Sequence, residues 1–292
     1  FRFLPDANAL AVPCRHLAGP ATESWVADAV QESGETVGAA WAHGRHYAMV
    51  ALTVDEHEGD IEAAAHCAYE RLLTAVRPSA HPYLLRIWNY FARINDGEGD
   101  AERYRRFCVG RAAAVDARFN DPPPAATAIG GEGQPERLLV VALCARAPAI
   151  ALENPRQTPA WRYPRDYGPV SPGFSRGALL DADTSQPRLL ASGTASIVGH
   201  VSQHVGDSAA QLRESLANLD ALLAEGTARG GHRFELGACE SLRVYLRHAD
   251  DLPRLRPILD DSGIPAERVL WLRGDICRRE LDVELEGVFA AN

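Results

Sequence analysis

Ser208-Ala-Ala-Gln-Leu-Arg-Glu-Ser-Leu-Ala-Asn-Leu-Asp-Ala-Leu-Leu-Ala-Glu225 is the stretch whose reading decides the fold. Leu212, Leu216, Leu219 and Leu223 recur at steps of three and four, which makes an amphipathic helix with one apolar stripe. That stripe needs a surface to cover, and the flanking sequence supplies strands. Before it, Ser175-Arg-Gly-Ala-Leu-Leu180 and Pro187-Arg-Leu-Leu-Ala-Ser-Gly-Thr-Ala-Ser196 read as a hairpin. After it, Cys239 to Leu246 reads as a strand. Asp250-Asp-Leu-Pro253 then opens a helix through Leu259, with acidic residues and an early proline at its start. Val269 to Arg273 and Leu281 to Phe289 are the last strands. The order β-β-α-β-α-β-β predicts an α+β fold, with helices packed on one face of a mixed sheet.

Working toward the N-terminus, the same order returns in blurred form. Tyr47 to Thr53 suits a strand. Ile61 to Val76 suits a helix, with Ile61, Ala65, Tyr69, Leu72 and Val76 near helical spacing and Pro78 beyond its end. Tyr83 to Ile94 is rich in aromatic and branched residues and reads as a strand. Ala101 to Ala117 reads as a helix, and Pro122-Pro-Pro124 as a rigid connector. Arg137-Leu-Leu-Val-Val-Ala-Leu-Cys-Ala-Arg146 is a strand apolar on both faces. Two tandem domains are therefore expected, residues 1–150 and 151–292. Between the patterns lies Asn154 to Gly177, with Pro155, Pro159, Pro164, Pro169 and Pro172 among Trp161, Tyr163, Tyr167, Arg165 and Arg176. The prolines prevent regular structure, while the aromatics argue against disorder. An ordered pocket wall is the expectation; a packed domain connector is the alternative.

The chain has 292 residues, 46% of them hydrophobic, enough for one large core or two modest ones. The net charge of -9 opposes binding to a nucleic-acid backbone. A small anionic ligand would need a local arginine cluster. No apolar run approaches the roughly 20 residues of a membrane helix. The opening Phe1-Arg-Phe-Leu-Pro5 has no signal-peptide pattern and no initiator Met, so some of the natural start is expected to precede it. Cys14, Cys67, Cys108, Cys144, Cys239 and Cys277 are scattered without a CxxC, which fits reduced thiols, a cytoplasmic location and no zinc.

Several positions could carry chemistry. Strand alternation puts Asp282, Glu284 and Glu286 on one face and Val283, Leu285 and Gly287 on the other. A solvated acidic edge would look like this; so would a carboxyl group buried in a cleft and acting as a general acid. Cys277 has no local histidine, so lining a pocket suits it better than covalent catalysis. Tyr104, Phe107 and Arg111 share a helix face, where Arg111 offers a fork for a carboxylate or forms a salt bridge within the domain. Arg247, after Val244-Tyr-Leu246, has the same two readings. Ser192-Gly-Thr-Ala-Ser-Ile-Val-Gly-His200 brings small residues after a strand, where a ligand can approach backbone. It is not a phosphate loop or a nucleophile elbow. His200 and His204 lack a third metal ligand.

The chain resembles the chorismatase family in Arg86-Ile-Trp-Asn-Tyr-Phe91 with Ile94-Asn95, Glu102 to Arg111, Ser192 to His200, Asp275-Ile-Cys-Arg-Arg-Glu280, and Val283-Glu-Leu-Glu286. Pro164 to Arg176 is similar to the family's aromatic-rich loop. The resemblance implies two tandem YjgF/Rid-like (chorismate-mutase-like) domains, the first degenerate, with the pocket near their interface. It implies chorismate as substrate, pyruvate and a hydroxybenzoate as products, and no cofactor or metal. It assigns proton donation to Glu284, a subtype-marking position to Cys277, substrate contacts to Arg111, Tyr104, Arg247, Tyr167 and Arg176, and the shaping of the ring pocket to Ala195. The cysteine at 277 with the glutamate at 284 points to the 3-hydroxybenzoate-forming subgroup, in which 4-hydroxybenzoate can accompany the main product. Such enzymes serve bacterial pigment and quinone pathways. A tandem chain can meet within itself contacts that Rid relatives make between subunits, so a monomer is expected. The alternatives are a diol-forming chorismate hydrolase and a Rid-like binding protein or deaminase.

Overall fold

The computed structural model describes residues 10–25, 30–57, 60–132 and 137–292. The reading of Phe1 to Pro5 lies outside the described residues. The first sheet is built from β2 (Glu32–Thr36), β3 (Ala39–His43), β4 (Tyr47–Asp55), β5 (Tyr83–Ala92), β6 (Ala125–Gly131) and β7 (Arg137–Ala145), after the short β1 (Arg15–Ala18). Its helices are α1 (Ile61–Val76) and α2 (Arg103–Ala114). The second sheet takes β8 (Ile150–Leu152), β9 (Gly177–Leu180) and β10 (Arg188–Ala195). A small hairpin follows, β11 (Ile197–Val198) and β12 (Val201–Ser202). Then come α3 (Ser208–Gly230), β13 (Cys239–Leu246), α4 (Leu252–Asp260), β14 (Val269–Arg273) and β15 (Val283–Ala290). Among the described residues no helix is long and apolar enough to cross a membrane.

The strand order is β2-β3-β4-β7-β5-β6 in the first sheet and β1-β14-β13-β15-β10-β9-β8 in the second. Without the edge strands β2, β1 and β8, both sheets have one connectivity. A hairpin (β3-β4, β9-β10) leads through a helix to a strand (β5, β13). A second helix then leads to the parallel edge (β6, β14), and the last strand (β7, β15) inserts in the middle. The topological repeat expected from the sequence is therefore present, and β7 corresponds to β15.

Burial explains the layering. Asp207 caps α3 by accepting from the amides of Ala209 and Ala210, and Gly231 ends it in the left-handed conformation. The α3 leucines then cover Leu242, Val244, Leu285 and Phe289 of the second sheet. On the far side, α1 and Phe107 of α2 cover Ile87, Phe91, Val140 and Ala142. The opposite faces of the two sheets meet each other. Trp88, Tyr90 and Val141 of the first pack with Leu190, Tyr245 and Leu272 of the second. The result is helix, sheet, sheet, helix, with helices on one face of each sheet. In this arrangement the Glu284 and Glu286 face of β15 is turned into the layer between the sheets. Both side chains are buried, which overturns the solvated acidic edge.

Four strands have weak signals in the sequence. β2 is short and exposed, β3 is short and half-buried, and β1 exists because it pairs with β14. β6 is mostly alanine and glycine, poor strand formers by propensity. It forms because it pairs in parallel with β5 and packs against β10.

Candidate active site

A cavity of about 320 Å³ opens between the two halves. Its walls come from β5, β6 and α2 on one side and from β10, β15, the 154–176 loop and the 277–280 turn on the other. The proline-rich loop is ordered, with short turns at Ala160–Arg162 and Arg165–Tyr167, and it presents Tyr163, Tyr167, Phe174 and Arg176 to the cavity.

Glu284 is the buried carboxyl group of this cavity; Glu98, Glu102, Asp166 and Glu280 also line it but are exposed or half-buried. In β15 Glu284 lies across from Ala195 of β10 on one side and Tyr245 of β13 on the other. It is 4% exposed. Its side chain has no hydrogen bond or ion pair with any described residue. Burial, followed by the charge of Glu286, pushes its pKa up to about 8, against the lowering influence of Arg86, Arg176 and Arg247. At neutral pH it is a carboxylic acid. Room for the group comes from Gly193, where a Cβ would fall 2.2 Å from Glu284 Oε1 and 2.8 Å from Cδ. The small residues of Ser192 to Ser196 thus accommodate the acid as well as any ligand.

Arg111 reaches the cavity from α2. Its guanidinium lies 5.6 Å from the Phe107 ring centre and 6.0 Å from that of Tyr69, and the residue is 5% exposed. No carboxylate of the described residues pairs with it. Buried charges are ordinarily paired; Arg111 has two aromatic rings beside it and no protein anion. Tyr104, two turns back on the same face of α2 and stacked with Phe107, lines the same cavity; burial pushes its phenol up, so it remains a neutral hydroxyl.

Cys277, Tyr167, Arg176 and Ala195 also line the cavity. Burial, then the charge of Glu284, raises the Cys277 thiol, so it is a neutral wall and not a thiolate nucleophile. Arg176 donates from Nη2 to the Tyr163 hydroxyl at 2.6 Å and to the Thr158 carbonyl at 3.1 Å, while its Nε has no partner. Arg247 is not brought into the cavity. It donates to the carbonyls of Leu281, Ile276 and Arg278 and to Asp275, and so braces the turn that carries Cys277. Its contribution to Glu284 is a charge from behind.

Tyr163 lines the cavity as expected of the proline-rich loop, while Thr127, Asn89 and Arg278 are also in the wall without having been singled out by the sequence. Thr127 is the lone hydroxyl in the small-residue strand β6, and its Oγ1 accepts from the Gly193 amide at 2.9 Å. That isolated polar residue was the available signal. Arg278 lies 4.1 Å from the centre of the Tyr167 ring and donates to the His200 carbonyl, a contact that no local pattern encodes.

A neutral carboxylic acid and an arginine without a protein anion face one cavity, as in an enzyme that acts on a small molecule. The comparisons specify which. Residues 23–144 match the family model described as chorismatase FkbO/Hyg5-like, N-terminal. The chain is 36% identical over 282 residues to a 3-hydroxybenzoate synthase of Streptomyces hygroscopicus, covering 93% of this chain and 82% of that protein. It is 40% identical over 276 residues to a chorismatase of Streptomyces rapamycinicus, covering 92% and 82%. A crystal structure of a chorismatase superposes with a TM-score of 0.82 at 36% identity, over 89% of this chain and 80% of that one. This chain belongs to the chorismatase family.

Proposed function

We propose that this protein converts chorismate to 3-hydroxybenzoate and pyruvate, with Glu284 as the proton donor. The observation that carries this reading is a buried carboxylic acid facing the same cavity as an arginine without a protein anion. Chorismate has two carboxylates and an enolpyruvyl ether whose terminal CH2 is a nucleophilic carbon. Arg111 grips one carboxylate, with Tyr104 beside it. A fork of donors in a dry pocket orients the substrate as well as attracting it.

Glu284 transfers its proton to the CH2, which becomes the methyl group of pyruvate, and the ether carbon becomes an oxocarbenium centre. The neighbouring ring hydroxyl attacks the ring carbon bearing the ether. That carbon–oxygen bond breaks, its electrons form the keto group of pyruvate, and the hydroxyl proton is lost. One carbon–oxygen bond of the resulting epoxide breaks, the carbon that keeps the oxygen loses its proton, and the six-membered ring becomes aromatic. Of the two protons released, one ends on the phenol oxygen and the other restores Glu284. No water is consumed, which suits a cavity walled by the aromatic side chains of Tyr163, Tyr167 and Phe174. Neutral Cys277 and small Ala195 shape the ring site toward this course. The same reading divides the chain near residue 150, with the acid from the second unit and Arg111 from the first. It also places the protein in the cytoplasm as a monomer, since the two sheets cover each other within one chain.

The test is incubation of the purified protein with chorismate, without added metal or cofactor, and chromatography of the products. Pyruvate with 3-hydroxybenzoate, alone or beside 4-hydroxybenzoate, supports the proposal. A non-aromatic diol would keep Glu284 and remove the intramolecular step. Unchanged chorismate would sink the proposal.

A further inference from the structure

Glu286 lies two residues beyond Glu284 on the same face of β15 and outside the cavity wall. A strand rises about 3.3 Å per residue, so the two backbones are roughly 7 Å apart. Both side chains are buried, yet their surroundings are opposite. Glu286 accepts from Thr127 Oγ1 at 2.6 Å, Arg243 Nη1 at 2.7 Å and the Tyr245 hydroxyl at 2.7 Å, and it is ion-paired to Arg86. Glu284 has no such donor. We propose that Glu286 is a positioning residue for the acid: its charge, clamped by four donors from β5, β6 and β13, keeps the proton on Glu284 through each cycle.

Two carboxyl groups one strand repeat apart in a buried layer oppose each other's ionisation. The donors decide which one ionises. Arg86 and Arg243 hold Glu286 low against the cost of its burial. Its negative charge then opposes ionisation of Glu284. The other groups around Glu284 are accounted for. On β13 they are Tyr245, opposite it, and Arg247 at the strand's end; on α2, Tyr104 and Arg111; beside it, Cys277 and Arg176; on β5, Arg86 and Tyr90; β10 contributes only Gly193 and Ala195. The tyrosines and the thiol are neutral, and the arginines favour the ionised form. Glu98, Glu102, Asp166 and Glu280 line the same cavity but are exposed or half-buried; Glu286 is the buried carboxylate beside Glu284, and its charge is the one that favours the acid. Thr127 ties the two ends together, because the hydroxyl that donates to Glu286 accepts from the Gly193 amide under Glu284.

This inference rests on Glu284 as the acid, and its test separates the two. The pH profile of kcat on chorismate is measured for the wild type, Glu286→Gln, Glu286→Asp and Arg86→Gln. In parallel, the carboxylic C=O band that disappears in Glu284→Gln is titrated by infrared spectroscopy without substrate. In the wild type, activity falls as pH rises through about 8. Glu286→Gln should move that limb down by on the order of one pH unit, an approximately fivefold loss of the protonated form at pH 8. Glu286→Asp keeps the charge and should keep the limb. Arg86→Gln leaves Glu286 held by Arg243, Thr127 and Tyr245, and should move the limb upward; it also serves if Glu286→Gln fails to fold. An unmoved limb in Glu286→Gln, the isosteric Gln outperforming Asp, or a downward or absent shift in Arg86→Gln would overturn the inference. A wild type inert toward chorismate would remove the proposed activity instead, and the infrared titration would still decide whether Glu286 sets the proton on Glu284.

Discussion

Gly193 of β10 lies so close to Glu284 of β15 that a Cβ on Gly193 would sit 2.2 Å from the carboxyl oxygen. The acid and the glycine are a single fitted unit. In Gly193→Ala the flexible end of Glu284 must move, and the backbone can remain where it is. We expect a folded protein with kcat lowered about 10²-fold, the scale of an ångström-sized misplacement. Steady-state kinetics together with a melting curve check it; unchanged kcat would mean that the observed carboxyl position is not needed.

Glu284→Gln should lower kcat by about 10³-fold, within the range for a general acid, and leave the fold intact. It also has a signature in stability. The folded pKa, about 8, lies above that of an exposed carboxyl group. Between those values the native state binds more protons than the unfolded state, so wild-type stability declines as pH rises toward 8. Gln removes that decline. The melting temperature of the variant, compared with wild type at pH 5 and pH 8, should therefore gain at the higher pH; a parallel response would place the carboxyl in water.

Arg111 without a protein anion predicts opposite effects on affinity and stability. Arg111→Met should weaken chorismate binding by 2–5 kcal/mol, at least about thirtyfold. Without ligand it should melt no lower than wild type, because an unpaired buried charge is gone. Calorimetric titration and thermal melting test both halves. A large loss of ligand-free stability would identify Arg111 as a structural cation.

Arg247 predicts the reverse. Its donors fix the carbonyls of Ile276, Arg278 and Leu281, so Arg247→Met should destabilise by about 2–4 kcal/mol, the scale of losing several charge-assisted bonds. Affinity for chorismate should change only through the turn. Denaturant titration would expose the error if stability were unchanged and KM rose sharply.

Cys277→Ala removes a neutral thiol from the ring site. Turnover should persist, with a changed ratio of aromatic products read by chromatography. Loss of all turnover in a folded variant would restore a covalent role; an unaltered ratio would end its use as a subtype marker.

Local sequence determined the elements with strong periodicity. α1, β13 and β14 begin and end where their patterns do, because apolar spacing and capping act within a few residues. It also determined the alternation of β15 and the shared face of Tyr104 and Arg111. It did not determine the weakly patterned β6, which exists through its pairing with β5, or what the polar face of β15 touches. Glu284 and Glu286 are equivalent as sequence, one period apart on one face. Tertiary structure makes one a carboxylic acid and the other an anion, because Glu286 pairs with Arg243 of the neighbouring strand and with Arg86, from a strand 200 residues earlier. Periodicity is a local property of the chain. The proton on a buried carboxyl group is set by charges and donors that only the packing of the two sheets brings within reach.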